Sequence, residues 1–219
     1  MLVNGKVAKE VDEGFWVFVP SSDELQREKI KNCKQDVVID FDDGVMISTL
    51  QRKKIYALLR EIAVWWADDM EYVKEYMKQC FLEITDTTKE GFSLADTDKT
   101  TARLFISFLL QFILLHGIPT KEPLWQMCED IEHYIWACLM TKRCCICGGK
   151  TEIHHVDAVG MGRNRKEIIH VGMRVLPLCR KHHCECHKIG NKDFMQRYII
   201  KPMPFTAEMG DIYSHMRKV

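Results

Sequence analysis

Hydrophobic residues recur every three to four positions along most of the chain between residues 48 and 140, which is the period of an amphipathic helix. The first such segment places one apolar face on Ile55, Leu58, Leu59, Ile62 and Trp66. Ser48 followed by Gln51 is a capping-box pattern and predicts where this helix begins. Four helices are predicted. The first begins at Ser48, and the second is capped by Asp68 or Asp69 and ends near Leu82. The third runs from a cap at Asp96 to His116, and the fourth has Pro123 near its first turn and ends near Met140.

A period of two, which is typical of β-strands, occurs in two other parts of the chain. Near the N-terminus the alternating positions are Phe15, Val17 and Val19, and then Val37, Ile39 and Phe41 before an Asp-Gly turn signal. In the last third, short strands are predicted over residues 152–156 and 175–178. The mixture predicts an α+β fold with a helix-rich N-terminal domain and a small strand region.

The charge of the chain is distributed unevenly. The 31 Lys and Arg residues balance the 31 Asp and Glu residues, but residues 1–140 carry a net charge of −8 and residues 141–219 a net charge of +8. The basic part also holds seven of the nine histidines and six of the ten cysteines. This segregation predicts two parts with different tasks, of which the basic one faces a polyanion.

The longest apolar stretch, Leu104 to Leu115, is interrupted by Ser107 and Gln111 and is too short to span a bilayer. The first residues contain no apolar signal core, so we expect a cytoplasmic protein that does not contact a membrane. In a reducing compartment, cysteines interspersed with histidines favour metal binding over disulfide formation.

Two pairs of potential zinc ligands share the same spacing. Cys144 and Cys147 form a C-x-x-C motif followed by two glycines, and 31 residues separate it from a second pair, Cys179 and His182. Two such pairs supply the four ligands that a structural Zn²⁺ ion takes. Cys145 neighbours a ligand and is not needed for the set.

A second group of histidines overlaps this pattern. His154 and His155 lie on a predicted strand, and His183 and His187 are four residues apart, so they share one face of a helix. Because adjacent strand residues point to opposite sides, one of the strand histidines is expected to bind an ion with the helix pair. The other is then free for a second role, such as that of a base.

The order of these motifs (CxxCG, IHHV, a basic glycine-rich loop, LCRKHH and a histidine four residues further on) resembles the HNH endonucleases of the ββα-metal fold over residues 141–190. The resemblance implies one catalytic divalent metal and hydrolysis of phosphodiesters to 3′-hydroxyl and 5′-phosphate ends. It places His154, His183 and His187 at the metal and His155 at the general base. The ion would be Mg²⁺, Mn²⁺, Ni²⁺ or Zn²⁺.

The sequence departs from the family at the middle letter of HNH, which is usually an asparagine that orients the catalytic histidine. His170 lies at about the right distance, and Arg174 is the other candidate, whereas Asn164 comes too early. Between the strands, the basic composition of Arg163, Arg165 and Lys166 predicts a loop that contacts a nucleic-acid backbone. An ordinary solvated loop is the alternative.

The helical part contains a second resemblance. The segments ISTLQRKKIYALLREIA, EYVKEYMKQCFLEI and GFSLADTDKTTARLFISFLLQFILLHGIP, within about residues 45–118, are similar to phage recombination proteins of the NinB type. The similarity implies a DNA-handling domain, with a local basic patch at Arg52, Lys53 and Lys54. The alternative interpretation is that these three residues form the solvated face of an amphipathic helix.

Together these patterns predict a NinB-like domain over residues 1–140, a zinc-stapled HNH domain over residues 141–201, and a loose tail over residues 202–219. The expected function is that of a metal-dependent DNA endonuclease in phage recombination or processing, located in the host cytoplasm. The expected partner is double-stranded, branched or single-stranded DNA. The sequence does not decide between a monomer and a homodimer. The alternatives are a non-catalytic zinc-knuckle module that binds nucleic acid or a protein partner, and an RNase that uses the same site.

Overall fold

The computed structural model describes residues 6–11, 14–18, 45–85, 91–157 and 169–213. The helices are α1 (Thr49–Trp66), α2 (Met70–Thr85), α3 (Lys99–His116), α4 (Leu124–Met127), α5 (Ile131–Met140), α6 (Arg180–Ile189), α7 (Asn191–Tyr198) and α8 (Ala207–Ile212). The strands are β1 (Lys6–Val11), β2 (Gly14–Phe18), β3 (Glu152–His155), β4 (Arg174–Leu178) and β5 (Met203–Pro204). The predicted α+β class is confirmed. In the described ranges, no helix is long and apolar enough to cross a membrane.

The strands form two small antiparallel sheets. β1 pairs with β2, which confirms the strand predicted around Phe15 and Val17. In the second sheet β4 lies between β3 and β5, and His154 stands opposite Leu176 in the register of β3 and β4. The strand predicted at Val37, Ile39 and Phe41 falls outside the described residues.

The first helix begins and packs as its sequence predicts. The Ser48 hydroxyl accepts from the Gln51 amide at 3.1 Å, and the Ser48 amide donates to the Gln51 side chain at 3.0 Å, which completes the capping box. The four aliphatic residues of the predicted apolar face, Ile55, Leu58, Leu59 and Ile62, are buried. Trp66 is the exception, because it lies at the C-terminal end of the helix and remains 38 % exposed.

Two helix boundaries differ from the prediction. The cap of α3 is Asp98 rather than Asp96, since the Asp98 carboxylate accepts from the Thr101 amide at 2.6 Å. The predicted fourth helix is two helices, because the chain leaves helical geometry at Cys128 and restarts with Asp130 as the cap of α5. The predicted stop after His116 is confirmed by Gly117 in the left-handed region, at φ 64°.

Helix α5 connects the helical part to the metal-rich part. It packs against both α3 and β4, and the Tyr134 hydroxyl donates to the Cys145 carbonyl at 2.9 Å. The apolar side chains of both parts form one continuous buried cluster. The three-stranded sheet therefore packs directly against the helices and shares their core.

The segment after residue 201 is not a loose tail where the structure describes it. β5 pairs with β4, and Phe205, Met209 and Tyr213 are buried. The Tyr213 hydroxyl also donates to the Leu139 carbonyl at 2.8 Å, next to the C-terminal end of α5. The prediction of a tail is wrong for residues 203–213, because three large apolar side chains in this segment complete the core.

Candidate metal centres and active site

The first candidate metal site consists of Cys144, Cys147, Cys179 and His182, whose ligand atoms all lie within 4.8 Å of one another. The Cys147 and Cys179 sulfurs are 3.7 Å apart, and the Cys144 sulfur is 3.5 Å from His182 Nδ1. A tetrahedral zinc ion with ordinary bond lengths would place its ligand atoms about 3.6–3.8 Å apart. The two predicted pairs therefore come together at a separation that could hold Zn²⁺.

The local backbone explains how the pairs meet. The Cys144 amide donates to the Gly149 carbonyl at 2.7 Å, and the Gly148 amide donates to the Cys144 carbonyl at 2.8 Å, which closes the turn between the first two thiols. Gly148 has φ 68°, a conformation that glycine adopts without strain. Cys179 is the residue that precedes α6, so His182 lies in the first turn of that helix.

Burial acts differently on the thiols of this set. It raises the pKa of Cys144 to about 12. Burial also opposes ionisation of Cys179, but hydrogen bonds from the His182 backbone amide and from the Cys147 and Cys144 thiols outweigh it, and the pKa of Cys179 is lowered. A bound cation favours the thiolate form of every ligand, which is the form that zinc requires.

The second candidate site consists of His154, His183 and His187, whose ligand nitrogens also lie within 4.8 Å of one another. His154 is supplied by β3 and the other two by α6, on the side facing that strand. The Nε2 atoms of His183 and His187 are 3.1 Å apart. Two imidazole nitrogens bound to one ion at about 2.1 Å would lie about 3.0–3.4 Å apart, so the separation fits shared coordination.

The polar neighbours of these histidines leave ring nitrogens available for a cation. Glu152 Oε2 lies 3.1 Å from His183 Nδ1, and this hydrogen bond holds the pKa of the Glu152 carboxyl below its usual value. Asn191 Oδ1 lies 2.9 Å from His154 Nε2. The other ring nitrogen of His154, Nδ1, is buried without a hydrogen-bond partner. An unpaired buried ring nitrogen beside two further imidazoles fits a divalent ion.

His155 lies beside this cluster without belonging to it. Its Nε2 atom is 2.9 Å from Nδ1 of His170, so His170 is the residue that contacts the expected base. Burial, followed by the nearby histidines, lowers the pKa of His155 to about 4, and the ring is therefore neutral at neutral pH. A neutral imidazole is the form that accepts a proton.

Arg174, the other candidate for the middle position, is engaged elsewhere. Its guanidinium donates to Asp157 Oδ1 from two nitrogens, at 2.9 and 2.6 Å, and its backbone amide donates to Asp157 Oδ2 at 2.7 Å. The pair closes the end of β3 onto the start of β4. Arg174 thus supports the strand pair, whereas His170 contacts His155.

The basic residues predicted to contact nucleic acid are only partly described. Arg163, Arg165 and Lys166 lie outside the described residues. Lys54 is not a free cation, since its ammonium forms an ion pair with Glu129 at 3.1 Å, and both side chains are more than four-fifths buried. Lys53 is exposed, whereas Arg52 donates to the Ala95 carbonyl at 2.7 Å. Lys54 is thus paired with Glu129, and the local basic patch at Arg52, Lys53 and Lys54 stays a prediction.

Glu152 and Asn191 were missed by the sequence analysis. Alternation along a strand places Glu152 on the same side as His154, and this signal could have identified it. Nothing in the motif spacing identifies Asn191. It is the first residue of the next helix, α7, and contacts His154 on β3 only because the tertiary structure places that helix beside the strand. Asp157 also carries no motif of its own.

Two antiparallel strands are followed by a helix, and three histidines on β3 and α6 could together hold one metal ion. The comparison with known families agrees, since residues 22–212 match the family described as "Putative HNHc nuclease". The chain belongs to this HNHc nuclease family, and its membership indicates metal-dependent nuclease activity on a nucleic-acid substrate. No curated protein and no solved structure matches the chain.

The family match also covers the helical region. It extends through α1, α2 and α3, so these helices and the metal-rich part fall within a single family. The resemblance of residues 45–118 to NinB proteins stays a prediction, as does the division of the chain at residue 140.

Proposed function

We propose that the protein is a divalent-metal-dependent DNA endonuclease that hydrolyses phosphodiester bonds to 3′-hydroxyl and 5′-phosphate ends. The observation that carries this proposal is a set of three histidines that could hold one ion, with His155 next to His154 on β3 and in contact with His170. His155 belongs to neither metal set, so a module that only binds metal would not require it.

His154, His183 and His187 would hold the catalytic cation, which is Mg²⁺, Mn²⁺, Ni²⁺ or Zn²⁺. When bound, a divalent cation neutralises the scissile phosphate and stabilises charge that develops on the leaving oxygen. Three protein ligands leave coordination positions open for the substrate, which is the arrangement of a catalytic rather than a structural site.

His155 acts as the general base in this proposal. Because its ring is neutral, it takes a proton from the attacking water, and the hydrogen bond to His170 fixes the orientation of the ring. His170 is therefore a positioning residue that occupies the place of the usual asparagine. A hydrogen bond from His155 Nε2–H to His170 Nδ1 would leave Nδ1 of His155 as its acceptor atom.

The four-ligand set holds a structural zinc ion in this proposal. Cys144 and Cys147 precede β3, whereas Cys179 and His182 follow β4, so one ion would hold together the start of β3 and the end of β4, which lie side by side. Val175, Leu176 and Leu178 of β4 pack into the core shared with the helices, and a bound ion would add stability where the chain enters β3 and leaves β4.

Contacts with the DNA backbone are proposed for two basic groups. One consists of Arg163, Arg165 and Lys166 between the strands. The other is the exposed side of α1 at Arg52 and Lys53, to which the structure adds Arg60 on the same face, around a cavity of about 470 Å³. Among the described residues, none of these three α1 cations forms an ion pair. A row of unpaired cations is what backbone contacts require.

A cleavage assay tests the proposal. Plasmid DNA and oligonucleotides in double-stranded, single-stranded and branched form, with an RNA of matched sequence, are incubated with each divalent metal in turn. We expect cleavage of DNA that depends on the added metal and leaves 5′-phosphate ends. Binding without cleavage under every metal would instead identify a zinc-knuckle module, and cleavage restricted to RNA would identify a ribonuclease.

A further inference from the structure

Asn191, the first residue of α7, lies against the metal-facing strand although no sequence motif includes it. Its side-chain oxygen is 2.9 Å from His154 Nε2, and its side-chain nitrogen donates to the Val156 carbonyl at 3.2 Å. The buried sulfur of Cys186 lies 3.3 Å from the same oxygen and 3.4 Å from His154 Nε2. One amide thus connects α7, α6 and the end of β3.

These contacts determine which way the amide is oriented. A backbone carbonyl only accepts hydrogen bonds, so the Asn191 group that faces Val156 must be the nitrogen, Nδ2. The oxygen is then the atom that faces His154. Because an amide oxygen also only accepts, the proton between the two side chains belongs to His154 Nε2.

The protonation of Nε2 leaves a single acceptor on the His154 ring. A neutral imidazole carries one proton, so Nδ1 bears the lone pair. Nδ1 is buried, and no atom of the described chain forms a hydrogen bond with it. His154 also belongs to the three-histidine set, with ligand nitrogens within 4.8 Å of one another.

We propose that Asn191 is a positioning residue for the metal centre: it holds His154 in the Nε2–H tautomer, so that Nδ1 is the nitrogen that binds the divalent cation. The inference rests on the proposed three-histidine centre and names the residue that prepares one of its ligands. Asn191 contacts Nε2 of His154, whereas Glu152 contacts Nδ1 of His183 and leaves Nε2 of that ring for the ion. His154 and His183 would therefore bind through different nitrogens.

Proton-detected ¹⁵N NMR of the histidine rings tests the tautomer directly. The full chain, with zinc in its cysteine set and no second metal, is labelled with ¹⁵N-histidine and assigned at His154 by comparison with His154→Gln. We expect the Nε2–H tautomer at His154, and ¹¹³Cd²⁺ added as the probe should couple to its Nδ1. A protonated Nδ1 in the metal-free site, or coupling of ¹¹³Cd to Nε2, would overturn the proposal.

Substitutions at Asn191 separate positioning from folding. Asn191→Leu removes the acceptor, and loss of such a partner typically weakens metal affinity tenfold to a hundredfold. Asn191→Asp keeps the acceptor for His154 but loses the donor to the Val156 carbonyl, so it should bind Mn²⁺ more tightly than Asn191→Leu. Gln196→Leu, which removes an exposed amide from the same helix, is the matched control and should change nothing.

The metal titrations are interpreted on folded protein, with the zinc content of the cysteine set measured in each sample. If Asn191→Leu binds Mn²⁺ as tightly as Gln196→Leu, the proposal is overturned. If Asn191→Leu does not fold, the tautomer measurement on the unmodified chain still decides. A protein that shows the expected tautomer but cleaves no nucleic acid would contradict the proposed nuclease function and leave the role of Asn191 intact.

Discussion

Two adjacent residues of α6, His182 and His183, belong to different candidate metal sites. His182 completes a set with three cysteines at the end of the strand pair where β3 starts and β4 finishes, whereas His183 belongs to an all-histidine set with His154 and His187. The first set has four ligands and is closed. The second has three, with a neutral histidine beside it, and leaves room for a substrate.

Under the proposed function, one helix would serve both stability and chemistry. Thiolates in a closed set bind zinc tightly and make folding depend on the metal. Imidazoles in the open set would hold an exchangeable cation, and their neighbours, Glu152 and Asn191, would determine which ring nitrogen faces it. Removing a ligand of the closed set should therefore affect zinc content and folding, whereas removing a ligand of the open set should affect cleavage alone.

The largest effect is expected from Cys179→Ala, which removes one ligand of the closed set and frees the start of α6. We expect loss of zinc and unfolding of the sheet with α6, while the helices α1 to α3 remain folded, because a small strand pair relies on its metal. Circular dichroism, limited proteolysis and elemental analysis measure this. Cys184→Ala, at an exposed position of the same helix, is the control.

A Cys179→Ala protein that keeps its zinc and resists proteolysis along the whole chain would contradict the assignment of the closed set. Such a result would also remove the physical distinction between the two sites.

The next largest effect is expected from His155→Ala, which leaves both metal sets complete. Loss of a general base typically lowers the rate by a factor of about 10² to 10⁴. Zinc content and DNA affinity should stay near those of the unmodified protein, because His155 belongs to neither set. Cleavage is measured at saturating DNA and metal. An unchanged rate under saturation would transfer the role of base to His170 or to another group.

His183→Ala should produce an intermediate effect that depends on metal concentration. Two histidines of the open set remain, so cation affinity falls and cleavage is lost at low metal, but part of the activity returns as the metal concentration is raised. The closed set is untouched, and the zinc content should be unchanged. Activity that is equally low at every metal concentration would indicate a role for His183 other than metal binding.

The smallest effects are expected on α1, where neighbouring lysines differ in their surroundings. Lys53→Ala should weaken DNA binding modestly and reduce the dependence of log affinity on log salt by about 0.9 if one phosphate contact is lost. Lys54→Ala should instead lower thermal stability, because it leaves the carboxylate of Glu129 without its ion-pair partner. Equal salt slopes for the two variants would show that α1 does not contact the DNA backbone.

Much of this arrangement could be predicted from local sequence, because the relevant signals act over a few residues. The capping box at Ser48 and Gln51, the stop at Gly117 and the paired ligand spacings depend on contacts within one turn. The helix break at Cys128 was missed because the apolar pattern continues across it, and periodicity does not show where hydrogen bonding lapses.

Contacts between distant elements could not be predicted in the same way. The ion pair of Lys54 with Glu129 joins residues 75 positions apart, and the packing of Phe205 and Tyr213 under the sheet joins the end of the chain to α5. Asn191 reaches His154 only because α7 folds back beside β3. Such pairings depend on the tertiary arrangement, which no local pattern encodes.

The claim that one metal set stabilises the fold and the other performs chemistry is tested most directly by one chelation experiment. The purified protein is dialysed against a mild chelator, its zinc content is measured, and plasmid cleavage is assayed on the same sample before and after each divalent metal is restored. The account predicts one zinc ion retained per chain, cleavage lost on dialysis, and cleavage recovered on adding the second metal. A protein that retains no zinc yet stays folded, or that cleaves DNA equally well after dialysis, would contradict it.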